Sequence, residues 1–385
     1  LREYRKEPLE AFTSPPHFFT SPEIFELEVE RIFERIWLFA CHESELAQPG
    51  DFVTQTVVGV SLILCRDKEG RLRAFYNTCR HRGAQVVMEE GGHCSAFRCP
   101  YHFWTYGLDG QLLGISGEEA YEGTGFAKED FPLVELACDS VLGLVFVSMA
   151  DEPEPLRDWL GEDVIGWLSK PLASGEYRLL RRGSLPVRAN WKVYAENIRD
   201  GYHVPFVHPF FRKSSPPGRY HLLANGHAVQ QLGMDPNGIE PDLWAKLELH
   251  PLPGVEVGEG YIANIFPDTA ITLRSNVISI DTQQIVSPTE VTMENRTLGL
   301  ADDDEETREI RLLAQQTWFA NPVELEDLPI FEAQQRGVSS RRVRYSVIAR
   351  GREATVGTRG DDNRLRYFWV KWRELMGVEA NSIGG

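Results

Sequence analysis

The stretch Cys79-Arg80-His81-Arg82-Gly83, answered after 17 further residues from His81 by Cys99-Pro100-Tyr101-His102-Phe103-Trp104-Thr105-Tyr106, decides how this chain is read. Each pair, Cys79-x-His81 and Cys99-x-x-His102, sits at the end of a short run of β-forming residues, where a tight loop brings ligand-type side chains together. Two thiolates and two imidazoles suit one tetrahedral zinc. They equally suit an iron-sulfur cluster in which Cys79 and Cys99 hold an inner iron while His81 and His102 hold an outer one near the surface. The six cysteines, Cys41, Cys65, Cys79, Cys94, Cys99 and Cys138, are too scattered over 385 residues for a disulfide scaffold, so metal binding is the better default. Cys94 has no mate at either loop and reads as a packed thiol.

Working outward, residues 51–58, 60–65 and 72–77 are short β-branched or aromatic runs separated by turn residues. Strand-like runs near 97, 104–106, 112–115 and 141–148 extend them into a small antiparallel β domain. Upstream, 21–39 has apolar residues mostly at helical spacing behind Ser21, Pro22 and Glu23, which predicts a helix. Residues 151–155, with two prolines and three acids, mark the clearest domain boundary. Beyond it, 177–187 reads as a strand, 190–202 as a helix and 222–291 as a series of strands. A helix then begins at the acidic run 302–306, taken as a solvated first turn, and another behind Asn321, Pro322 and Glu324.

Lys plus Arg total 40 against 57 for Asp plus Glu, a formal charge of -17, which argues against wrapping nucleic acid or an anionic membrane. The longest apolar run, 141–150, is about half a membrane span, and the first residues are polar and charged, unlike a secretory signal, so a cytoplasmic location is expected. No Gly-rich phosphate loop or dinucleotide fingerprint is present, so nothing in the sequence points to NADH or flavin binding by this chain.

A second constellation lies at Asp200, His203 and His208. A regular helix would swing His208 away from His203, and Pro205 is expected to interrupt it so that both imidazoles meet at one point. Two histidines and one carboxylate on one face are the ligands of non-haem ferrous iron, which leaves the opposite face open. Asp200 precedes His203 by three residues and can hydrogen-bond the imidazole without ligating metal. Of the more distant acids, Asp327 would share a helix face with Val323, Ile330 and Gln334, with Glu326 and Glu332 as local competitors.

The two cluster loops, and the segment Glu196-Asn197-Ile198-Arg199-Asp200-Gly201-Tyr202-His203 followed by His208, resemble the large (alpha) subunits of Rieske non-haem iron aromatic-ring-hydroxylating oxygenases. Phe103 is a departure, because many relatives carry glycine there. The segment from Glu326 to Gly337 resembles the part of the family that supplies the third iron ligand, and by that resemblance Asp327 is chosen. The resemblance implies an α+β fold with a small Rieske β-sandwich at 43–155 and a catalytic domain at 156–385. In the latter a curved antiparallel sheet wraps a long helix in helix-grip fashion, and the N-terminal segment 1–42 packs on the catalytic domain.

It also implies a [2Fe-2S] cluster on Cys79, His81, Cys99 and His102, and a mononuclear Fe(II) on His203, His208 and Asp327. Asp200 would link His203 to His102 of a neighbouring subunit in a homotrimer, with or without a small beta subunit. The implied reaction uses O2 and electrons from an external NAD(P)H-dependent reductase, directly or through a ferredoxin, to hydroxylate or cis-dihydroxylate an aromatic substrate. Relatives that hydroxylate or demethylate quaternary ammonium compounds share the same ligands. An aromatic cage with an acid would favour an ammonium substrate, whereas an arginine or an apolar wall would favour aromatics. An electron carrier without oxygenase activity is the remaining alternative, and it leaves the second constellation unexplained.

The other histidines, His17, His42, His93, His221, His227 and His250, are expected to be structural, with pocket lining a minority reading for His227. Met234, Trp244, Trp318 and Phe319 are expected in the core rather than in a pocket wall.

Overall fold

The computed structural model describes residues 13–214, 218–233, 239–340, 342–343, 346–348, 356–358 and 360–378. The chain divides into two compact units, Phe33–Leu156 and Leu1–Ile32 with Arg157–Gly385. Met234 lies outside the described residues.

The first unit is built on an antiparallel sheet ordered Trp37–His42, Leu144–Ser148, Glu135–Val141, Leu72–Tyr76, Val60–Arg66, Asp51–Val57 and Gly91–His93. Val58 and Gly59, both with positive φ, make the two-residue turn between Asp51–Val57 and Val60–Arg66, because that backbone twist matches the twist of the flanking strands. The buried Asp67 closes the next hairpin by accepting from the Glu69 and Arg71 amides at 3.0 and 2.8 Å. A second, three-stranded sheet of Phe97–Arg98, Thr105–Tyr106 and Leu112–Gly114 carries one cluster loop.

The helix expected over 21–39 is shorter. Pro22–Glu28 is α-helical behind the Ser21 cap, Val29–Phe33 forms a π turn, and Trp37–His42 is a strand. All six residues of that strand are buried, and such a short apolar run has no exposed face from which periodicity can separate helix from strand.

The second unit centres on a curved eight-stranded antiparallel sheet. Its order is Tyr177–Val187, Glu290–Leu300, Val277–Ser287, Thr269–Arg274, Gly260–Ile265, Ala228–Leu232, Arg219–Leu222 and Val356–Thr358. The helix expected over 190–202 stops at Asn197. Asn190 caps its start by accepting from the Lys192 amide at 3.0 Å, and the chain turns at Asp200, whose carboxylate accepts from the Tyr202 amide at 2.7 Å. The break therefore precedes His203, and Pro205 opens a new one-turn helix, Val204–Val207, instead of interrupting an old one.

Asn321 is not a helix cap. It has helical backbone angles within a nearly continuous helical run, Glu305–Gln315, the π segments Gln316–Ala320 and Pro322–Asp327, then Leu328–Val338. The wider π turns change the face that later side chains present, and they tolerate Pro322 and Pro329, which have no amide hydrogen to donate. The acidic run is only partly solvated: Asp304 caps the helix, while Asp303 is buried against the Arg311 guanidinium at 2.6 and 2.8 Å.

Buried ionic and indole contacts anchor the Trp191–Asn197 helix. Glu28 accepts from Lys192 Nζ at 2.5 Å, Trp372 Nε1 at 2.8 Å and Trp191 Nε1 at 2.9 Å. One turn on, Glu196 accepts from Trp369 Nε1 at 2.8 Å and Gln334 Nε2 at 3.1 Å. Burial raises the Glu196 carboxyl from 4.5 to about 7, against the pull of those two donors. A carboxyl raised in the folded state favours folding while protonated, so its contribution is lost as pH rises from 4.5 through about 7. Glu196→Gln is expected to lessen the fall in thermal stability over that window. An unchanged slope of Tm against pH would exclude Glu196 as a source.

Candidate metal centres and active-site cavity

Two five-residue loops hold the cysteine–histidine pairs, and they close alike. The Cys79 amide donates to Ala84 O at 2.8 Å and the Gly83 amide to Cys79 O at 2.9 Å; the Cys99 amide donates to Trp104 O at 2.9 Å and the Phe103 amide to Cys99 O at 3.0 Å. The two cysteine side chains lie within hydrogen-bonding reach of each other, and the His81 and His102 rings are 4.6 Å apart at 71°. Thiols thus face thiols and imidazoles face imidazoles. Among the described residues no three of these four donors converge within 4.8 Å, which is what a single tetrahedral ion would need, so the arrangement fits a two-iron cluster.

Tyr106 supports the thiolate side, its hydroxyl lying 3.3 Å from Cys79 Sγ and accepting from the Arg80 amide at 3.0 Å. The buried Trp104 stacks on His81 at 4.9 Å and 6°, which fixes the plane of that ring. Burial pushes the Cys99 thiol up while the Tyr101 and His102 amides pull it down, and a bound metal would complete its deprotonation.

Phe103 takes the place in its loop that Gly83 takes in the other, and both have positive φ, 59° and 73°. The departure from glycine therefore leaves the turn intact and places a side chain with β-carbon strain on it. Since Phe103 is 58% exposed, it contributes little packing in return. Phe103→Gly is expected to stabilise this unit by about 0.5–1 kcal/mol after the extra entropy of glycine is subtracted, read as a rise in Tm.

At the second centre, His203 and His208 stand at the two ends of the Val204–Val207 turn. Their ligand atoms and that of Asp327 all lie within 4.8 Å of one another, the only such trio of His, Cys, Asp or Glu side chains among the described residues. Asp327 Oδ1 is 3.8 Å from His203 Nε2 and 3.4 Å from His208 Nε2. The opposite ring nitrogens are also engaged: His203 Nδ1 meets Asp200 at 3.1 Å and His208 Nδ1 meets Glu326 at 2.7 Å. A carboxylate on each Nδ1 holds the proton there and turns the Nε2 lone pair inward, the state a metal ligand requires.

Glu326 stands against His208 Nδ1, outside the trio that Asp327 joins, and Glu332 pairs with Arg336. Asn197 completes the group, its amide 3.4 Å from Asp327 and 3.5 Å from His203. Glu326 and Asn197 escape sequence reasoning as supports, since neither is spaced from a histidine as a local partner. Burial raises the Asp327 carboxyl even with both histidines pulling it down, so the site favours a cation beside it. In Asp200, burial is outweighed by His203 and two amides, which hold the carboxyl below its ordinary value.

The trio opens into a cleft whose empty space, its open mouth included, is about 830 Å3. Trp318, Phe319 and Phe211 line it, together with Ile262, Leu232 and Val323 from the sheet and the helical run. Trp318 and Phe319 are thus cavity wall, whereas Trp244 packs behind Trp318 at 6.4 Å. Their placement depends on the π turn Gln316–Ala320, which sequence periodicity does not reveal. His227 lies outside the cavity: it is fully buried, with Nε2 3.0 Å from Trp159 O and Nδ1 accepting from the Phe266 amide at 3.0 Å, and burial lowers it to about 4.

A thiolate–imidazole cluster unit, joined in one chain to a two-histidine, one-carboxylate centre under a curved sheet, defines a Rieske non-haem iron oxygenase. Residues 36–125 match the Rieske [2Fe-2S] domain and residues 174–377 the ring hydroxylating alpha subunit (catalytic domain), and the chain belongs to that family. It is 31% identical to the alpha subunit of 2-aminobenzenesulfonate 2,3-dioxygenase from Alcaligenes sp, over 94% of this chain and 93% of that one. It is 30% identical to the oxygenase subunit of carnitine monooxygenase from Acinetobacter pittii (strain PHEA-2), over 87% of each. Naphthalene 1,2-dioxygenase from Rhodococcus sp., solved with indole bound, superposes with a TM-score of 0.83 at 25% identity, covering 96% of this chain and 95% of that one. The protein is accordingly an oxygenase of the α+β class whose cofactors are a Rieske [2Fe-2S] cluster and a mononuclear iron. No helix among the described residues is long and apolar enough to cross a membrane.

Proposed function

We propose that this protein is the terminal component of a cytoplasmic multi-protein oxygenase, in which His203, His208 and Asp327 hold the iron and Cys79, His81, Cys99 and His102 hold the cluster. The observation that carries this reading is the pair of imidazoles with both Nδ1 atoms turned to carboxylates and both Nε2 atoms facing Asp327 at an apolar cavity. Bound iron supplies O2 activation once electrons reach it. The chain's own residues do the rest. The aromatic wall excludes water and orients a ring, Asn197 and Glu326 keep the ligands in place, and Asp200 holds the Nδ1 proton of His203.

The Asp200 side chain is about one-quarter exposed beside His203, which suits a contact with His102 of a neighbouring subunit in a trimer. The electron donor is an NAD(P)H-dependent reductase, directly or through a ferredoxin, and the formal charge of -17 favours a basic docking face on it. The substrate is an aromatic compound, hydroxylated or cis-dihydroxylated. The apolar cavity walls and the likeness to an aminobenzenesulfonate dioxygenase support that class. The similar degree of identity to a carnitine monooxygenase supports a second reading, oxidation of a quaternary ammonium compound.

A product screen with a surrogate reductase over aromatic acids, neutral aromatics and betaine-like compounds tests both. Aromatic diols or phenols are expected; products from the betaines alone would replace the first reading by the second. Metal analysis is expected to find one iron per chain beyond the two of the cluster, and cluster iron alone would reduce the protein to an electron carrier.

A further inference from the structure

The sheet floor of the cleft carries one carboxyl that the metal centre does not use. Asp281, on Val277–Ser287, stands opposite Ala270 in the strand register, and the next row sets Ser279 opposite Thr272. Ala270, Thr272 and Asp281 all line the cleft, as the two-residue period of each strand requires. Asp281 also lines a second cleft beside it, and Phe319 and Val323 of the helical run line both. Asp327 follows Val323 by four residues on that run. Burial, then the charges of Asp281 and Asp268 and after them that of Asp327, push the Tyr194 hydroxyl up, so Asp281 and Asp327 act on the same tyrosine at the cleft wall.

Among the described residues Asp281 meets only neutral donors. Its Oδ1 accepts from Asn295 Nδ2 at 2.7 Å, and Oδ2 meets the Ser279 hydroxyl at 3.5 Å, beyond the usual length of a hydrogen bond. Arg274, the only lysine or arginine lining the cleft among the described residues, lies two rows away, opposite Val277, with its guanidinium carbon 5.1 Å from the Trp318 ring centre. The Asn295 amide cannot turn over. Its Oδ1 accepts from Gln315 Nε2 at 3.0 Å and Thr297 Oγ1 at 3.3 Å, its Nδ2 also donates to Ser279 Oγ at 2.6 Å, and Arg181 donates to Gln315 in turn. A hydrogen-bond chain running back to Arg181 therefore fixes one oxygen of Asp281 and leaves the other with spare accepting capacity. Burial raises this carboxyl from 3.8 to about 6, so above that pH it is an anion that accepts and does not donate. An acid kept in a cleft against that penalty, with neutral donors alone to hold it, has the character of a binding group.

On the same face, Thr272 and, across Ile262, Gln230 are 5% and 3% exposed and line the cleft, and neither side chain makes a hydrogen bond among the described residues. A buried hydroxyl and a buried amide left open in this way call for a polar partner. Resting on the oxygenase reading above, we infer that the cleft selects an aromatic ring bearing a hydrogen-bond donor, an amino or hydroxyl group, and that Asp281 Oδ2 is the acceptor that holds it, with Thr272 and Gln230 on the same wall. The ring then lies against Phe319 and Val323, about one turn of the helical run from Asp327. A quaternary ammonium group has no N–H to give, so this contact also separates the two substrate readings.

The test is equilibrium binding to the metal-loaded protein near neutral pH, measured by calorimetry with aniline, phenol, toluene and trimethylphenylammonium. The native protein is expected to bind aniline or phenol at least about 10-fold more tightly than toluene, the scale of one hydrogen bond to a charged acceptor, and the two donors tell amine from hydroxyl. In Asp281→Asn the amide oxygen has to stay on Asn295 Nδ2, which turns the amide hydrogens to the cleft. The preference for aniline is then expected to vanish while toluene binding stays unchanged. Toluene or trimethylphenylammonium binding to the native protein as tightly as both donors, or more so, would overturn the inference, as would an unchanged aniline preference in a folded Asp281→Asn protein. If that variant does not fold, the native comparison decides alone. Failure of the oxygenase reading is distinguishable, because it would appear as missing cluster or catalytic iron before any ligand is added.

Discussion

Asp327→Ala is expected to bring catalytic iron from about one per chain to near zero and to abolish product formation, while the visible spectrum of the cluster stays that of the parent. The trio at His203, His208 and Asp327 has one carboxylate, and Asn197, 3.4 Å from Asp327, offers only an amide. Two neutral imidazoles without an anionic partner hold ferrous iron weakly against water. Because Asp327 is buried, the substitution also removes a charge whose burial raises its carboxyl, so the apo-protein is not expected to lose stability. Iron analysis with and without chelation, beside cluster absorbance, reads the result. Retained catalytic iron would transfer the ligand role to another acid, with Glu326 the first to examine, since it already reaches His208.

Asp200→Asn is expected to leave both metal centres occupied and to slow coupled turnover by roughly 100-fold, the upper range for an outer partner of a metal ligand, or more if electron transfer runs through it. The amide has a single accepting oxygen, where the carboxylate gives Oδ1 to the Tyr202 amide and Oδ2 to His203 Nδ1, so it can keep one of these two contacts while the iron-facing side chains are unchanged. Also lost is the negative charge, held in place by His203 and two amides. The decisive readout is the reoxidation rate of the pre-reduced cluster in the presence of substrate and O2. It is expected to fall in step with turnover, and a parental rate would leave Asp200 as a local support of His203 with no part in electron delivery.

The cluster loops were legible in the sequence down to the two cysteine–histidine pairs, because each is a five-residue turn whose conformation is set by hydrogen bonds between near neighbours. Phe103 was legible as a departure, although only its positive φ explains why glycine suits that position. The pair His203 and His208 was legible for the same local reason, while the mechanism of its approach was not. The turn at Asp200 and a fresh helix starting behind it, with Pro205 in its first turn, bring the rings together. Apolar periodicity misassigned Trp37–His42, where full burial removes the contrast between faces. The cap signals of Asn321, Pro322 and Glu324 placed a helix start where the π turns continue the helix instead.

By itself, then, the sequence determined the donor types, their spacing within each loop and the family, since these depend on residues a few positions apart and on covalent reach. The tertiary structure alone decided that Asp327 meets both histidines, that Glu326 supports His208 across 118 positions, and that Arg274 lies against Trp318 at the cavity wall. Those contacts join the one-turn helix Val204–Val207 and the strand Thr269–Arg274 to a helical run distant in sequence. They exist only because packing of the sheet against the π-turned helix fixes which side chains share a space, and no local propensity encodes that choice.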